Sequence, residues 1–401
     1  MSAGVVIIGG GQAGAEAASA LRAQGYEKPI LLIGDENQAP YQRPPLSKAY
    51  LMGTLDAERL PLRAESLYDK QHIELLLGQT VVDIAAPLQR IRLRSGSVLP
   101  YEHLILATGA RNRLLQIKGS ERALYLRTLP DADTIRERLA SATSVAVIGG
   151  GFIGLELAAA ARKLGKQVCV IEAAPRLMAR AVSPLLSDFF RDAHEKEGVE
   201  ILLATGIEEI EDAAIRFTDG SRRAAEVVLA GIGVVPNVEL ARAAGLAVGN
   251  GIAVDEFLIT SDPNIFAIGD CAEFPCVFAN ARAGGRVRLE SVQNAVDQAK
   301  CVARGIEGTP EPYRDPPWFW TDQYNYRFQM AGLSNGHDET IVRGDAASGK
   351  FTAFYFKDKR FIAADSVNRF ADHIAARKIL GSGTKLTPEQ AGDEAFDLKR
   401  V

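Results

Sequence analysis

Cysteine is scarce in this chain, with four in 401 residues, at positions 169, 271, 276 and 301. That excludes a disulfide-stapled scaffold and suits reduced thiols, so a cytoplasmic location is expected. The five histidines (72, 103, 194, 337 and 373) form no cluster with ligand spacing. No cysteine pattern fits a zinc or iron–sulfur site either, so no metal is expected. Neither sign of charge dominates, with 46 basic against 50 acidic residues and a net −4. This excludes a nucleic-acid binder that works through bulk positive charge. No apolar run reaches the ~18 residues of a membrane-spanning helix, so no membrane partner is expected. The opening Met1-Ser2-Ala3-Gly4 runs directly into the apolar Val5–Ile8. It has no positive n-region and no cleavage site, so no secretory signal is expected. What is present is ordinary globular composition, 47% hydrophobic and 24% charged, in a length of two or three domains.

The most informative feature is an internal repeat. Val5-Val6-Ile7-Ile8-Gly9-Gly10-Gly11-Gln12-Ala13-Gly14 recurs 140 positions on as Val145-Ala146-Val147-Ile148-Gly149-Gly150-Gly151-Phe152-Ile153-Gly154. Each copy is an apolar run, a glycine turn and a stretch with helical spacing. In the second copy Ile153, Leu157, Ala161 and Leu164 share one helical face. Gly25 and Gly165 stand where each helix should stop, and a second apolar run follows, Ile30–Ile33 or Val168–Ile171. This order is a βαβ unit with a parallel sheet.

Each copy carries G-x-G-x-x-G, as Gly9, Gly11, Gly14 and as Gly149, Gly151, Gly154. The first glycine permits the tight turn, the second lets backbone approach a pyrophosphate, and the third lets the helix pack on the strand. An acid closes each second strand, Asp35 followed by Glu36 in the first copy and Glu172 in the second. Both lie near the spacing expected of a carboxylate that holds ribose hydroxyls. A glycine turn serving packing alone is the bland alternative. Two such units point to two dinucleotides, FAD and NAD(P)H. Glu172 would repel a 2′-phosphate, which favours NADH, although Arg176 and Arg180 lie close by in sequence.

The segment Tyr41-Gln42-Arg43-Pro44-Pro45-Leu46-Ser47-Lys48 follows the first unit. It resembles the flavin-contacting loop of the FAD-dependent NADH:ferredoxin reductases of oxygenase systems, the putidaredoxin-reductase type. The likeness continues in order through Ile105-Leu106-Ala107-Thr108-Gly109, Leu126-Arg127-Thr128-Leu129 and Ala230-Gly231-Ile232-Gly233. It then runs through Thr260-Ser261-Asp262-Pro263, Ala267-Ile268-Gly269-Asp270-Cys271, Glu290-Ser291-Val292-Gln293-Asn294 and Pro317-Trp318-Phe319-Trp320-Thr321-Asp322-Gln323. By this resemblance FAD is served by the first glycine turn, Ala13, Asp35, Glu36, Arg43, Lys48, Val81, Thr108, Gly109, Arg127, Asp270 and Val292. NADH is served by the Gly149–Gly154 turn with Phe152 and Ile153, and by Glu156, Glu172, Arg180 and Gly233. Lys48, Glu156 and Trp320 are the candidate catalytic residues. A Lys48 cation paired with Glu156 would favour the electron-rich reduced ring. Phe152 stands where some relatives have tyrosine, and Tyr324-Asn325-Tyr326-Arg327 departs from the pattern. Ser291 reads as an N-cap for a helix from Val292 to about Ala303, whose positive end would also favour negative charge on a flavin.

Cys271 and Cys276 have C-x4-C spacing, yet in disulfide reductases the redox pair sits where this chain has Arg43–Lys48. Inert thiols are therefore expected, and electrons must leave the flavin for an external acceptor. By the resemblance that acceptor is a [2Fe–2S] ferredoxin feeding a cytochrome P450 or a Rieske oxygenase. Arg63 and Lys300 are the candidate docking residues, with Arg286, Arg288 and Arg369 as further ones. The alternatives are an NADH oxidase or peroxidase, which would need a cysteine near the flavin, and a redox-sensing flavoprotein resembling apoptosis-inducing factor. A membrane quinone reductase would need a terminal basic amphipathic helix.

The expected fold is α/β: two Rossmann-like dinucleotide-binding domains plus a C-terminal α+β domain, as in the flavoprotein disulfide reductase-like fold. Residues 1–112 and 241–318 would bind FAD, 113–240 NADH, and 319–401 would form the third domain. There Thr352–Phe356 and Arg360–Ala364 read as antiparallel strands. A monomer is compatible with all of this.

Overall fold

The computed structural model describes residues 4–279 and 285–401. Met1, Ser2 and Ala3, read above as lacking a signal, lie outside them. The chain divides into two compact units. The first is Met1–Gln42, Pro61–Arg111 and Pro236–Phe319, and the second is Arg43–Leu60, Asn112–Val235 and Trp320–Val401.

The first unit is built on a five-stranded parallel sheet, ordered Ile265–Ala267, His103–Leu106, Val5–Ile8, Ile30–Ile33 and Ile73–Leu76. The central strand Val5–Ile8 is buried along its whole length, as a strand covered on both faces must be. The helices Gln12–Ala23 and Val292–Ile306 pack against each other. Small residues line the inner side of the first, with Ala13, Ala15, Ala17 and Ala18 all buried, which permits that close approach. Ser291 does cap the second helix, its Oγ accepting from Asn294 N at 3.1 Å.

The second unit repeats the plan with a five-stranded parallel sheet, Glu200–Leu202, Gln167–Ile171, Ser144–Ile148, Val227–Ala230 and Ala123–Tyr125. It also holds a five-stranded antiparallel sheet, Trp318–Gln323, Tyr326–Gly332, Arg360–Val367, Lys350–Lys357 and Glu339–Asp345. The chain passes from the first unit to the second within Trp318–Gln323. The expected pairing of the 350s with the 360s is present, Thr352 opposite Ser366 and Phe354 opposite Ala364. Both sheets share one apolar core: Val147, Val170 and Leu229 from the first, Phe328, Phe351 and Tyr355 from the second, with Phe190 of the helix Pro184–Lys196. The tail forms a short helix Pro388–Gly392 closed by a Thr387–Gln390 capping box.

The segment 43–60 belongs to the second unit for identifiable reasons. Leu51 enters its core, and Tyr50 donates to Asp133 Oδ1 at 2.5 Å on the helix Leu129–Ser141. The guanidinium of Arg136, from the same helix, lies over the Tyr50 ring at 4.8 Å.

Candidate active site

The two glycine turns solve one steric problem in the same way. Gly9 has φ +123°, and a Cβ there would lie 2.1 Å from Ala107 O. Gly149 has φ +103°, and a Cβ there would lie 2.5 Å from Gly231 O. The third glycine of each turn, Gly14 or Gly154, would put a Cβ 2.0 Å from the carbonyl of the first. These four positions are glycine because the protein's own backbone leaves no room.

The middle glycines differ. A Cβ on Gly11 would meet nothing within 4 Å, and one on Gly151 would meet only Gly231 O, at 3.9 Å. Packing does not require glycine there, and the space over each turn is open to a ligand. Each also stands at the N-cap of its helix, with no side-chain cap on the first-turn N–H groups. Both turns therefore fit a pyrophosphate.

In the first unit Gly9, Asp35, Thr108 and Asp270, all expected to serve FAD, follow the carboxyl ends of parallel strands. Asp270 follows Ile265–Ala267 in a tight turn opened by Gly269 at φ +75°, whose Cβ would lie 2.9 Å from that of Ala13. Gln298 of the helix beginning at Val292 fixes this turn, accepting from Gly269 N at 2.7 Å. Thr108 donates to Asn237 O at 2.7 Å, and Asn237 Nδ2 donates to Thr108 O at 2.8 Å, beside Gly109 at φ +65°. Val81 is buried in the strand Val81–Ala85. Asp35 is exposed, whereas Glu36 accepts from Tyr41 OH at 2.6 Å.

In the second unit Glu172 is tied to its own turn. Oε2 accepts from Gly150 N and Oε1 from Ala174 N, each at 2.7 Å. Arg176 is spent locally, on Val182 O at 2.7 Å, Ser187 Oγ at 2.8 Å and Ala179 O at 2.7 Å. Arg180 is exposed and reaches Gly233, where a Cβ would lie 3.4 Å from its Nη2. Phe152 opens the helix Phe152–Lys163 with its ring 6.4 Å from that of Phe328, and Ile153 beside it is exposed.

The same unit holds Arg43, Lys48, Arg127 and Trp320. Arg43 donates to Arg127 O at 2.6 Å, and the N–H of Arg127 donates to Asp131 Oδ2 at 2.9 Å. The expected ion pair is present: Lys48 Nζ lies 2.7 Å from Glu156 Oε2. Glu156 is only 3% exposed, so its carboxylate needs several partners. Ser47 donates to Oε2, and Thr321 donates to Oε1 at 2.6 Å. Ser47, Thr321, Gln298 and Asn237 were not singled out from the sequence. Thr321 and Ser47 lie inside quoted motifs, but their contacts are made with residues far away in the chain.

All four cysteines are buried and outside any disulfide, and burial pushes each thiol pKa up. That is the environment of an inert thiol. Of the docking candidates, Arg63 is committed to Glu16 at 2.8 Å, while Lys300 is exposed with Asp297 at 4.0 Å. Among the described residues no group of acidic, histidine or cysteine side chains could hold a metal, and no helix is long and apolar enough to cross a membrane.

Comparison with known proteins agrees end to end. Residues 3–299 match the pyridine nucleotide-disulphide oxidoreductase family, and residues 318–401 match the reductase C-terminal family. Rhodocoxin reductase of Rhodococcus erythropolis is 51% identical over 402 residues, covering 98% of this chain and 93% of that protein. The crystal structure of the ferredoxin reductase for the CYP199A2 system from Rhodopseudomonas palustris superposes with a TM-score of 0.96 at 45% identity, covering 100% of this chain and 99% of that one. The covalent putidaredoxin reductase–putidaredoxin complex gives a TM-score of 0.95 at 42% identity, covering 100% of this chain and 98% of that one. The chain thus belongs to the pyridine nucleotide-disulphide oxidoreductase family, among the ferredoxin reductases that carry a reductase C-terminal domain.

Proposed function

We propose that the protein is a flavoprotein oxidoreductase that takes hydride from NADH onto FAD and passes single electrons to a [2Fe–2S] ferredoxin. That ferredoxin would supply a cytochrome P450 or a Rieske oxygenase. The observation that carries this reading is the pair of glycine turns whose middle glycine is open, two dinucleotide nests in one chain. When bound, the cofactors supply the redox chemistry, hydride transfer from the nicotinamide and stepwise electron release from the flavin.

The chain's own residues bind and orient. Gly9, Gly11, Ala13, Gly14, Asp35, Glu36, Val81, Thr108, Gly109, Asp270 and Val292 are our FAD residues in the first unit. Arg43, Lys48, Arg127 and Trp320 are assigned to the flavin by the family likeness alone. Gly149, Gly151, Phe152, Ile153, Gly154, Glu156, Glu172, Arg180 and Gly233 are our NADH residues. Two backbone N–H groups hold the Glu172 carboxylate, and Arg176 is turned inward onto its own loop. A 2′-phosphate arriving there meets an oriented anion, which supports NADH over NADPH. The functional division into FAD-binding (1–112 and 241–318), NADH-binding (113–240) and C-terminal (319–401) domains is part of this proposal, as are a cytoplasmic location and a monomeric state.

The loop Arg43–Lys48 offers a lysine where an oxidase or peroxidase of this fold would need a thiol. The test is direct. The purified protein is expected to be yellow, to be bleached by NADH faster than by NADPH under anaerobic conditions, and then to reduce a [2Fe–2S] ferredoxin. A protein that binds no flavin, or that NADH fails to reduce, contradicts the proposal.

A further inference from the structure

Glu156 does not end at its lysine. On the side away from Lys48 its Oε1 accepts from Thr321, and Thr321 continues to Gln323, His194 and Tyr324. Thr321 and Gln323 alternate onto one face of the strand Trp318–Gln323, and His194 comes from the helix Pro184–Lys196. Thr321, Gln323 and His194 are all essentially inaccessible to water.

We infer that this is a one-way chain of donors, running Tyr324 to His194 to Gln323 to Thr321, that fixes Glu156, and that Thr321, Gln323 and His194 are positioning residues for the Lys48–Glu156 pair. The direction follows from counting protons. A carboxylate only accepts, so Thr321 gives its single hydroxyl proton to Glu156 at 2.6 Å. Its oxygen can then only accept, so it is the amide nitrogen of Gln323 that faces it, at 3.4 Å. The amide oxygen therefore faces His194 Nε2 at 2.9 Å, and Nε2 must carry hydrogen. A neutral ring protonated at Nε2 has a bare Nδ1, which accepts from Tyr324 OH at 3.3 Å. Burial keeps the ring neutral, its pKa pushed down to about 4. Every link points its positive end toward Glu156, so the dipoles add rather than cancel. Tyr324 closes the chain at a turn with φ +53°, its carbonyl accepting from Lys163 at 3.3 Å.

The inference rests on the reading that places Lys48 at the flavin, but part of its test does not. In the FAD-loaded protein labelled with 15N-histidine, the His194 signal, identified by its loss in His194→Gln, is expected from the Nε2–H tautomer. Thr321→Val keeps the shape and removes the hydroxyl. It is expected to shift the flavin midpoint potential and to slow bleaching by NADH about tenfold, because a reacting group held loosely loses rate. Gln323→Leu should act in the same direction, and Thr321→Ser should restore both readouts. A His194 protonated at Nδ1 overturns the chain. A Thr321→Val protein with the potential and bleaching rate of the unmodified one overturns the positioning role. If NADH does not bleach the unmodified holoprotein, the functional reading has failed, and the tautomer still decides whether the chain exists.

Discussion

Glu16 and Glu156 occupy the same place in the two copies of the repeat, two residues after the third glycine, and each meets a cation from a loop outside its own βαβ unit. Glu16 pairs with Arg63 at 2.8 Å and also accepts from Gln12 at 2.9 Å. Glu156 pairs with Lys48 at 2.7 Å. The geometry is alike and the surroundings are not. The Glu16 carboxylate keeps 19% of its side chain exposed, whereas that of Glu156 keeps 2% and adds two hydroxyl donors. The first pair is a strap holding a loop, with water still sharing the charge. The second is a buried anion whose every lone pair must be met. The two copies of the βαβ unit share the glycine turn and the acid after it, and they differ in how far that acid is buried.

The comparison breaks most visibly at the glycines. Gly9→Ala and Gly149→Ala drive a Cβ into backbone at a positive φ, and each is expected to cost more than about 3 kcal/mol, read by thermal or urea unfolding. Gly11→Ala and Gly151→Ala should leave the unfolding curve nearly unchanged and each cost one cofactor. The first variant would be colourless. The second would stay yellow, with a KM for NADH raised on the order of tenfold or more.

Next in size is the pair of carboxylates. Glu156→Gln takes the anion away from Lys48, itself one-fifth exposed, and from the buried donors Ser47 and Thr321, and should destabilise by about 1.5–3 kcal/mol. Glu16→Gln, at the wetter pair, should cost about 1 kcal/mol or less. Equal losses in urea titrations would refute the distinction drawn between them.

Acid probes the buried titratable groups of the second unit. Burial lowers His194 and His373 in the second unit from 6.5 to about 4, with repulsion from Arg377 and Arg327 adding to the effect at His373. Both rings bind protons more readily when unfolded, so the stability they confer is full above pH ~6.5 and is lost as pH falls toward ~4, by up to roughly 3 kcal/mol for each ring. In the first unit burial lowers His103 as well. Asp365, buried in the second unit with its pKa raised to about 7, acts in the opposite sense and gains stability as pH falls below 7. The histidine contribution is therefore read by difference: the loss of protection between pH 7 and pH 4.5, followed by hydrogen exchange, should be smaller in His194→Gln than in the unmodified protein.

The smallest effect concerns docking. Lys300→Glu should slow ferredoxin reduction about tenfold at low salt and leave reduction of ferricyanide by NADH unchanged. Arg63→Glu should act differently, through lost stability, because it sets two carboxylates against each other at Glu16. Equal and selective losses for both variants would show that Arg63 serves docking as Lys300 does.

Much of this was legible in the sequence because it is local. The strands Val5–Ile8 and Ser144–Ile148, their glycine turns, the helix from Val292 and its Ser291 cap all follow from spacing and residue type within a dozen positions. The Lys48–Glu156 pair came from family likeness, since nothing in periodicity links residues so far apart. What stayed hidden is long-range and polar. Ser47 meets Glu156 across 109 positions, Thr321 meets it across 165, and Asn237 meets Thr108 across 129. The same holds for segment 43–60, whose place in the second unit depends on Tyr50 finding Asp133 and Arg136. The helix Pro388–Gly392 carries too little apolar pattern in its single turn to announce itself, although its Thr387–Gln390 box is local.

The account turns on electrons reaching the acceptor without help from sulfur. The measurement that tests this most directly is anaerobic stopped-flow reduction of a [2Fe–2S] ferredoxin by NADH through the Cys271→Ser, Cys276→Ser double variant. Flavin bleaching and ferredoxin reduction at the rates of the unmodified protein are the predicted result. Bleaching that proceeds while the ferredoxin stays oxidised would contradict the account.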